Sequence, residues 1–156
     1  MKINIVAVGD LKEKYLVEAC KEYTKRISRF HTINIITIAE EKLPKALNDA
    51  LISRALVKEG ASIEKYLKGF VVVMDIHGKE LDSVQFSQMI DSASLGNDTI
   101  TFVIGGSYGL SESIKSKAHM RLSVSHMTFP HQLFRVMLLE QIYRACCISN
   151  NILYHK

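Results

Sequence analysis

Cysteine is scarce in this chain: Cys20 and the adjacent Cys146 and Cys147 are all there are. Three thiols so placed make no disulfide framework, and with no Cys-x-x-Cys pair or Cys/His ligand spacing they make no zinc site. They read as reduced core thiols, and no metal is expected. Long apolar runs are missing too. Charge breaks each hydrophobic stretch well short of the roughly 20 residues that a bilayer span needs, so no membrane is expected. The strand-like Ile3-Asn4-Ile5-Val6-Ala7-Val8 follows Met1-Lys2 directly, which leaves no room for a secretory leader and points to the cytoplasm. Nor is there a large excess of one charge. Lys and Arg number 20 against 16 Asp and Glu, and a net +4 permits a polyanionic partner without demanding one. Two familiar phosphate signatures are also absent, the Gly-Lys-Ser/Thr of a Walker A loop and the spaced glycines of a dinucleotide fingerprint.

What is present suits one domain over residues 1–156, because 156 residues of which 47% are hydrophobic can bury one core but not two comfortable ones. Strand-like and helix-like stretches alternate. Lys2 to Val8, Thr32 to Ile38 and Phe70 to Asp75 read as strands, the last a continuous apolar run of the buried kind. Ile100 to Ile104 and Arg121 to Ser125 supply two more. Between them the periodicity predicts helices over Lys12 to Arg29, from Pro44 through Ile63 with a bend at Gly60, after a cap at Asp82 or Ser83, briefly after Ser111, and from Pro130 onward. Such alternation implies an α/β fold, a mostly parallel sheet with helices on both faces. In the last helix Leu133, Phe134, Val136, Met137, Leu138, Leu139, Ile142, Tyr143, Ala145 and Cys146 nearly encircle the axis. One sheet cannot cover all of that surface, so a homodimer contact is expected there.

Two loops carry the chemistry. Gly105-Gly106-Ser107-Tyr108-Gly109 and Val124-Ser125-His126-Met127-Thr128-Phe129 each follow a strand and precede a helix. Both therefore lie at the carboxyl ends of strands, where open α/β sheets bind ligands. Glycines there let backbone approach a small molecule closely, although a glycine pair alone reads first as an ordinary tight turn. His119, His126, His131 and His155 have no metal-binding spacing. Arg135, Glu140 and Arg144 are the conspicuous charges of the last helix; Glu140 and Arg144 are four apart and can pair. The first helix has a basic bias from Lys12, Lys14, Lys21, Lys25, Arg26 and Arg29, interleaved with Glu13, Glu18 and Glu22. That pattern fits either an RNA contact or a solvated mixed face.

Several of these segments occur in one order that resembles the RlmH family, small SPOUT-superfamily methyltransferases of bacterial ribosomal RNA. The segments are Val6-Ala7-Val8-Gly9, Lys58-Glu59-Gly60, Asp75-Ile76-His77-Gly78-Lys79, Val103-Ile104-Gly105-Gly106-Ser107-Tyr108-Gly109-Leu110, Met127-Thr128-Phe129-Pro130-His131, Glu140-Gln141-Ile142-Tyr143-Arg144-Ala145 and Tyr154-His155-Lys156. They span nearly the whole chain.

The resemblance implies an S-adenosylmethionine-dependent enzyme, without a metal, that methylates N3 of a pseudouridine in large-subunit ribosomal RNA on the assembled ribosome. It also implies a homodimer and a carboxyl-terminal trefoil knot that holds the cofactor. Carried over by motif, the cofactor residues are Met74, Gly105, Val124, Ser125, His126, Met127, Thr128 and Phe129. Tyr154 and His155 would position the base or take its proton, Arg144 would steady an anionic ring or an RNA phosphate, and Glu140 would orient Arg144. Met74 stands where the family commonly has leucine, a change that keeps volume, while Leu153 and Cys146 replace a turn-favouring residue and an aromatic. The rival readings are another small-molecule enzyme on such a sheet, a SPOUT methyltransferase with a different RNA target, and a ribosome-associated RNA-binding protein without catalysis.

Overall fold

The computed structural model describes residues 1–155. Its sheet has five parallel strands in the order β2-β1-β4-β3-β5. The strands are β1 (Lys2–Val8), β2 (Thr32–Ile38), β3 (Phe70–Glu80), β4 (Thr99–Ile104) and β5 (Met120–Ser123). The helices are α1 (Lys14–Ile27), α2 (Asp49–Glu64), α3 (Ser83–Ser94), α4 (Glu112–Lys115) and α5 (His131–Ser149).

Side chains alternate across the pleat and so build two cores. Ile3, Ile5 and Ala7 of β1, with Ile100, Phe102 and Ile104 of β4, face α1, α3 and α5, and Val6, Val8, Val73 and Val103 face α2 and α4. Helices thus cover both faces, as parallel strands require. Leu138, Leu139 and Ile142 are fully buried where α5 packs between α1 and α3, and each contributes about 1.5–3 kcal/mol.

Helix α2 starts later than Pro44 suggests. Asn48 is the N-cap, and its side chain accepts from the Leu51 N–H at 2.9 Å, so 39–47 is irregular chain. The helix also continues without a break past Gly60. A methyl there would meet the Ser111 hydroxyl at 2.9 Å, so glycine serves the close approach of the segment that opens α4. At α3 the predicted cap is present as a reciprocal pair: Asp82 accepts from the Gln85 N–H, and the Gln85 side chain from the Asp82 N–H.

Strand β3 runs on to Glu80 instead of ending at Asp75, with a break in register. Leu122 of β5 pairs with both Met74 and Lys79, so Asp75 to Gly78 bulge from the ladder. Gly78 permits this, because a Cβ there would lie 2.6 Å from the Arg121 carbonyl carbon. Strand β5 stops at Ser123, two residues short of the predicted end. Among the described residues, no helix is long and apolar enough to cross a membrane.

Candidate active site

The two loops singled out in the sequence meet. After β5, at the sheet edge, residues 124–130 lead to the start of α5, which is bonded to the far end of β1. There Arg135, 2% exposed, donates to the carbonyls of Val8 and Gly9, and the Gln132 side chain accepts from the Lys12 N–H at 2.9 Å. This crossing forms one wall of an open cavity of about 410 Å³ at the carboxyl ends of β3, β4 and β5. That is a volume suited to a nucleoside-sized ligand.

Each wall has a local cause. In the glycine loop the Gly109 N–H donates to the Gly106 carbonyl at 3.0 Å, and Gly109 has φ +79, a left-handed conformation that favours glycine. A Cβ on Gly105 would sit 2.5 Å from the Gly109 carbonyl oxygen, so only glycine fits. Ser107 donates to Glu40 at 3.2 Å, which ties the loop to the segment after β2. In the second loop the Ser125 hydroxyl accepts from the Met127 N–H at 3.0 Å, and Ser123 donates to the Ser125 carbonyl at 3.2 Å, turning the chain inward.

Of the predicted cofactor residues, Met74, Gly105, Val124, Ser125, Met127, Thr128 and Phe129 all line this cavity. His126 does not; its ring turns outward to Glu80, 3.4 Å away. Sequence reasoning missed Lys115, His131 and Phe134 and left Asp75 without a role, though all four line the cavity. Burial alone pushes the Asp75 carboxyl up. The Arg121 guanidinium, the His77 N–H and the Lys115 charge outweigh that and hold it below its ordinary value.

The tail residues form a second cluster, beside α5. Asn151, at φ +54, turns the chain back after the helix. Glu140 Oε1 then accepts from Arg144 Nη2 at 2.6 Å, from Arg144 Nε at 3.1 Å and from the Tyr154 hydroxyl at 3.2 Å. The Arg144 guanidinium lies 4.7 Å from the Tyr154 ring centre and 3.4 Å from His155 Nδ1. Because arginine can only donate, the neutral imidazole accepts at Nδ1 and carries its proton on Nε2. Burial, then the charge of Glu140, pushes the Tyr154 phenol up to about 12, so it stays protonated near neutrality.

None of Glu140, Arg144, Tyr154 and His155 lines the cavity. Glu140 instead lines an adjoining groove of about 600 Å³ with Tyr23, Leu81, Phe86, Val136 and Met137, and Leu122, Ser123 and Val124 form the wall between the two. The groove is the face of α5 that the sheet leaves uncovered. Val136 and Met137 stay partly open there, and Leu133 and Tyr143 elsewhere on α5 are likewise not fully covered.

The family described as predicted SPOUT methyltransferases matches residues 1–155. A ribosomal RNA large subunit methyltransferase H of Clostridium botulinum (strain Kyoto / Type A2) is 50% identical over 161 residues, covering 100% of both chains. Among solved structures, a probable methylase family protein of Haemophilus influenzae Rd KW20 superposes with a TM-score of 0.60 at 13% identity, over 99% of this chain and 70% of that one. A similar methylase-family structure from Neisseria gonorrhoeae gives 0.56 at 10% identity, over 99% and 86%. These two establish the likeness of fold, and the full-length sequence match establishes kinship: the chain belongs to the SPOUT methyltransferase family.

Proposed function

We propose that this chain is a ribosomal RNA methyltransferase that moves the methyl group of S-adenosylmethionine to N3 of a pseudouridine in the large subunit, on the assembled ribosome. The observation that carries the reading is the cavity at the strand ends, walled by the two family loops, with Glu140 of the Glu140–Arg144–Tyr154–His155 cluster lining the groove that adjoins it. The residues fit the cofactor: Met74, Ile104 and Phe129 offer apolar surface to an adenine, and Gly105 brings backbone to the cavity wall. S-adenosylmethionine supplies an electrophilic methyl on a sulfonium, so the protein's work is alignment and proton removal. As N3 loses its proton, Arg144 compensates the negative ring and Glu140 fixes the direction of its guanidinium. Tyr154 orients the base, and His155 receives the departing N3 proton at Nδ1 once its ring turns away from Arg144.

The working form is a homodimer of single-domain chains, knotted at the carboxyl-terminal segment and acting in the cytoplasm. In one chain the tail cluster does not line the cavity, and the apolar groove on α5 is the surface through which a second copy brings tail and cavity together. RNA lies along the basic end of α1, where Arg26 rests 5.5 and 5.6 Å from the ring centres of Tyr23 and Tyr143.

The test is calorimetry with S-adenosylmethionine, followed by transfer of its labelled methyl to ribosomes that lack the modification. Saturable binding and label confined to large-subunit RNA are expected. Binding without transfer would reject the acceptor, and no binding would reject the cofactor.

A further inference from the structure

Lys115 closes the four-residue helix α4 and lines the cavity. Among the described lining residues it is the sole lysine or arginine, and Asp75 is the sole carboxylate. Asp75 is already satisfied. Its side chain is 5% exposed, Oδ2 accepts from Arg121 Nε at 2.9 Å and also from Nη2, and Oδ1 accepts from the His77 N–H at 3.1 Å. Lys115 Nζ stands 3.8 Å from that carboxylate, at the outer limit of an ion pair. Its close partner is Glu112, at 2.9 Å, with a side chain 81% exposed.

An ammonium that is 19% exposed thus faces a cavity while holding a carboxylate washed by water. Exposed pairs of this kind contribute little, so a second anion entering from the cavity side can displace Glu112 at small cost. A charge-assisted bond formed there is stronger, because the cavity excludes part of the solvent. S-adenosylmethionine carries one anionic group, the α-carboxylate at the end of its flexible tail. Resting on the cofactor reading above, we infer that Lys115 receives this carboxylate and makes the cavity selective for the intact amino-acid end of the donor.

The test is calorimetry of wild-type protein, K115M and E112Q with S-adenosylmethionine and with its decarboxylated analogue. Wild-type protein is expected to prefer the intact donor by about 10- to 100-fold, the range for one charge-assisted hydrogen bond. K115M is expected to lose that preference while binding the analogue as wild type does, and E112Q to bind the intact donor alone more tightly, since the ammonium has lost its competitor. Equal affinity of wild-type protein for the two ligands, or equal weakening of both by K115M, overturns the assignment. Should K115M fail to fold, wild type and E112Q decide between these outcomes. A wild-type chain that binds neither ligand removes the cofactor reading itself, and the assignment with it.

Discussion

Replacing Arg135 by methionine would remove a buried guanidinium while roughly keeping its length and volume. The side chain is 2% exposed, it donates to the carbonyls of Val8 and Gly9, and its Nε has no partner. Burial depresses the guanidinium pKa, opposed by Cys20 and Asp10. R135M leaves two buried carbonyls unsatisfied at about 1–3 kcal/mol each, against relief from burying one charge fewer. The expected net loss is about 2–4 kcal/mol, which for a chain of this size lowers Tm by on the order of 5–15 °C. Thermal unfolding by circular dichroism measures it. A second consequence separates anchoring from bulk stability. Because Arg135 ties down the start of α5, which carries His131 and Phe134 into the cavity, S-adenosylmethionine affinity should fall even at 15 °C, where the variant is folded. A Tm within about 1 °C of wild type would refute the energetic reasoning on buried carbonyls, and unchanged affinity would refute the anchoring.

G105A would place a methyl 2.5 Å from the Gly109 carbonyl oxygen, so the glycine loop must open; binding of S-adenosylmethionine should be lost in calorimetry while far-ultraviolet dichroism is kept. E140Q retains an acceptor for Arg144 and Tyr154 but discards the charge. Turnover should fall by about 10- to 100-fold in a methyl-transfer assay while cofactor affinity holds. Burial first, then the charges of Glu40 and Glu41, raises the Glu59 pKa, against the Glu41 N–H bond that Glu59 accepts at 2.9 Å. A carboxyl raised in the folded state favours folding below its unfolded pKa and loses that contribution as pH rises through the folded value. E59Q, which keeps the acceptor, should therefore raise Tm by a few degrees at pH 8 and by less at pH 4, in parallel melts.

The strands were legible because β-branched runs such as Thr32 to Ile38 fit a pleated surface, and the paired faces of Ile3, Ile5 and Ala7 against Val6 and Val8 follow from a period of two. The start of α2 was misread. Pro44 suits a first helical turn in general, but the Asn48 side chain satisfies the Leu51 N–H and wins the boundary. The bulge at Asp75 to Gly78 has no local signal, since Gly78 is required by the backbone of β5, more than 40 residues on. Arg135 stood out as a charge on an apolar helix, yet its partners Val8 and Gly9 are 127 and 126 residues away, and only the crossing to the end of β1 unites them. Most of the cavity was legible from the loop motifs. Lys115 was not, because a lysine on a one-turn helix looks like surface until the cavity is built around it.

The most direct measurement is the identity of the methylated nucleoside. Ribosomes lacking the modification would be incubated with the protein and methyl-labelled S-adenosylmethionine, and the large-subunit RNA digested and resolved by mass spectrometry. Label in N3-methylpseudouridine from a single site of the large-subunit RNA is the predicted result; label in any other nucleoside, or in protein, would contradict it.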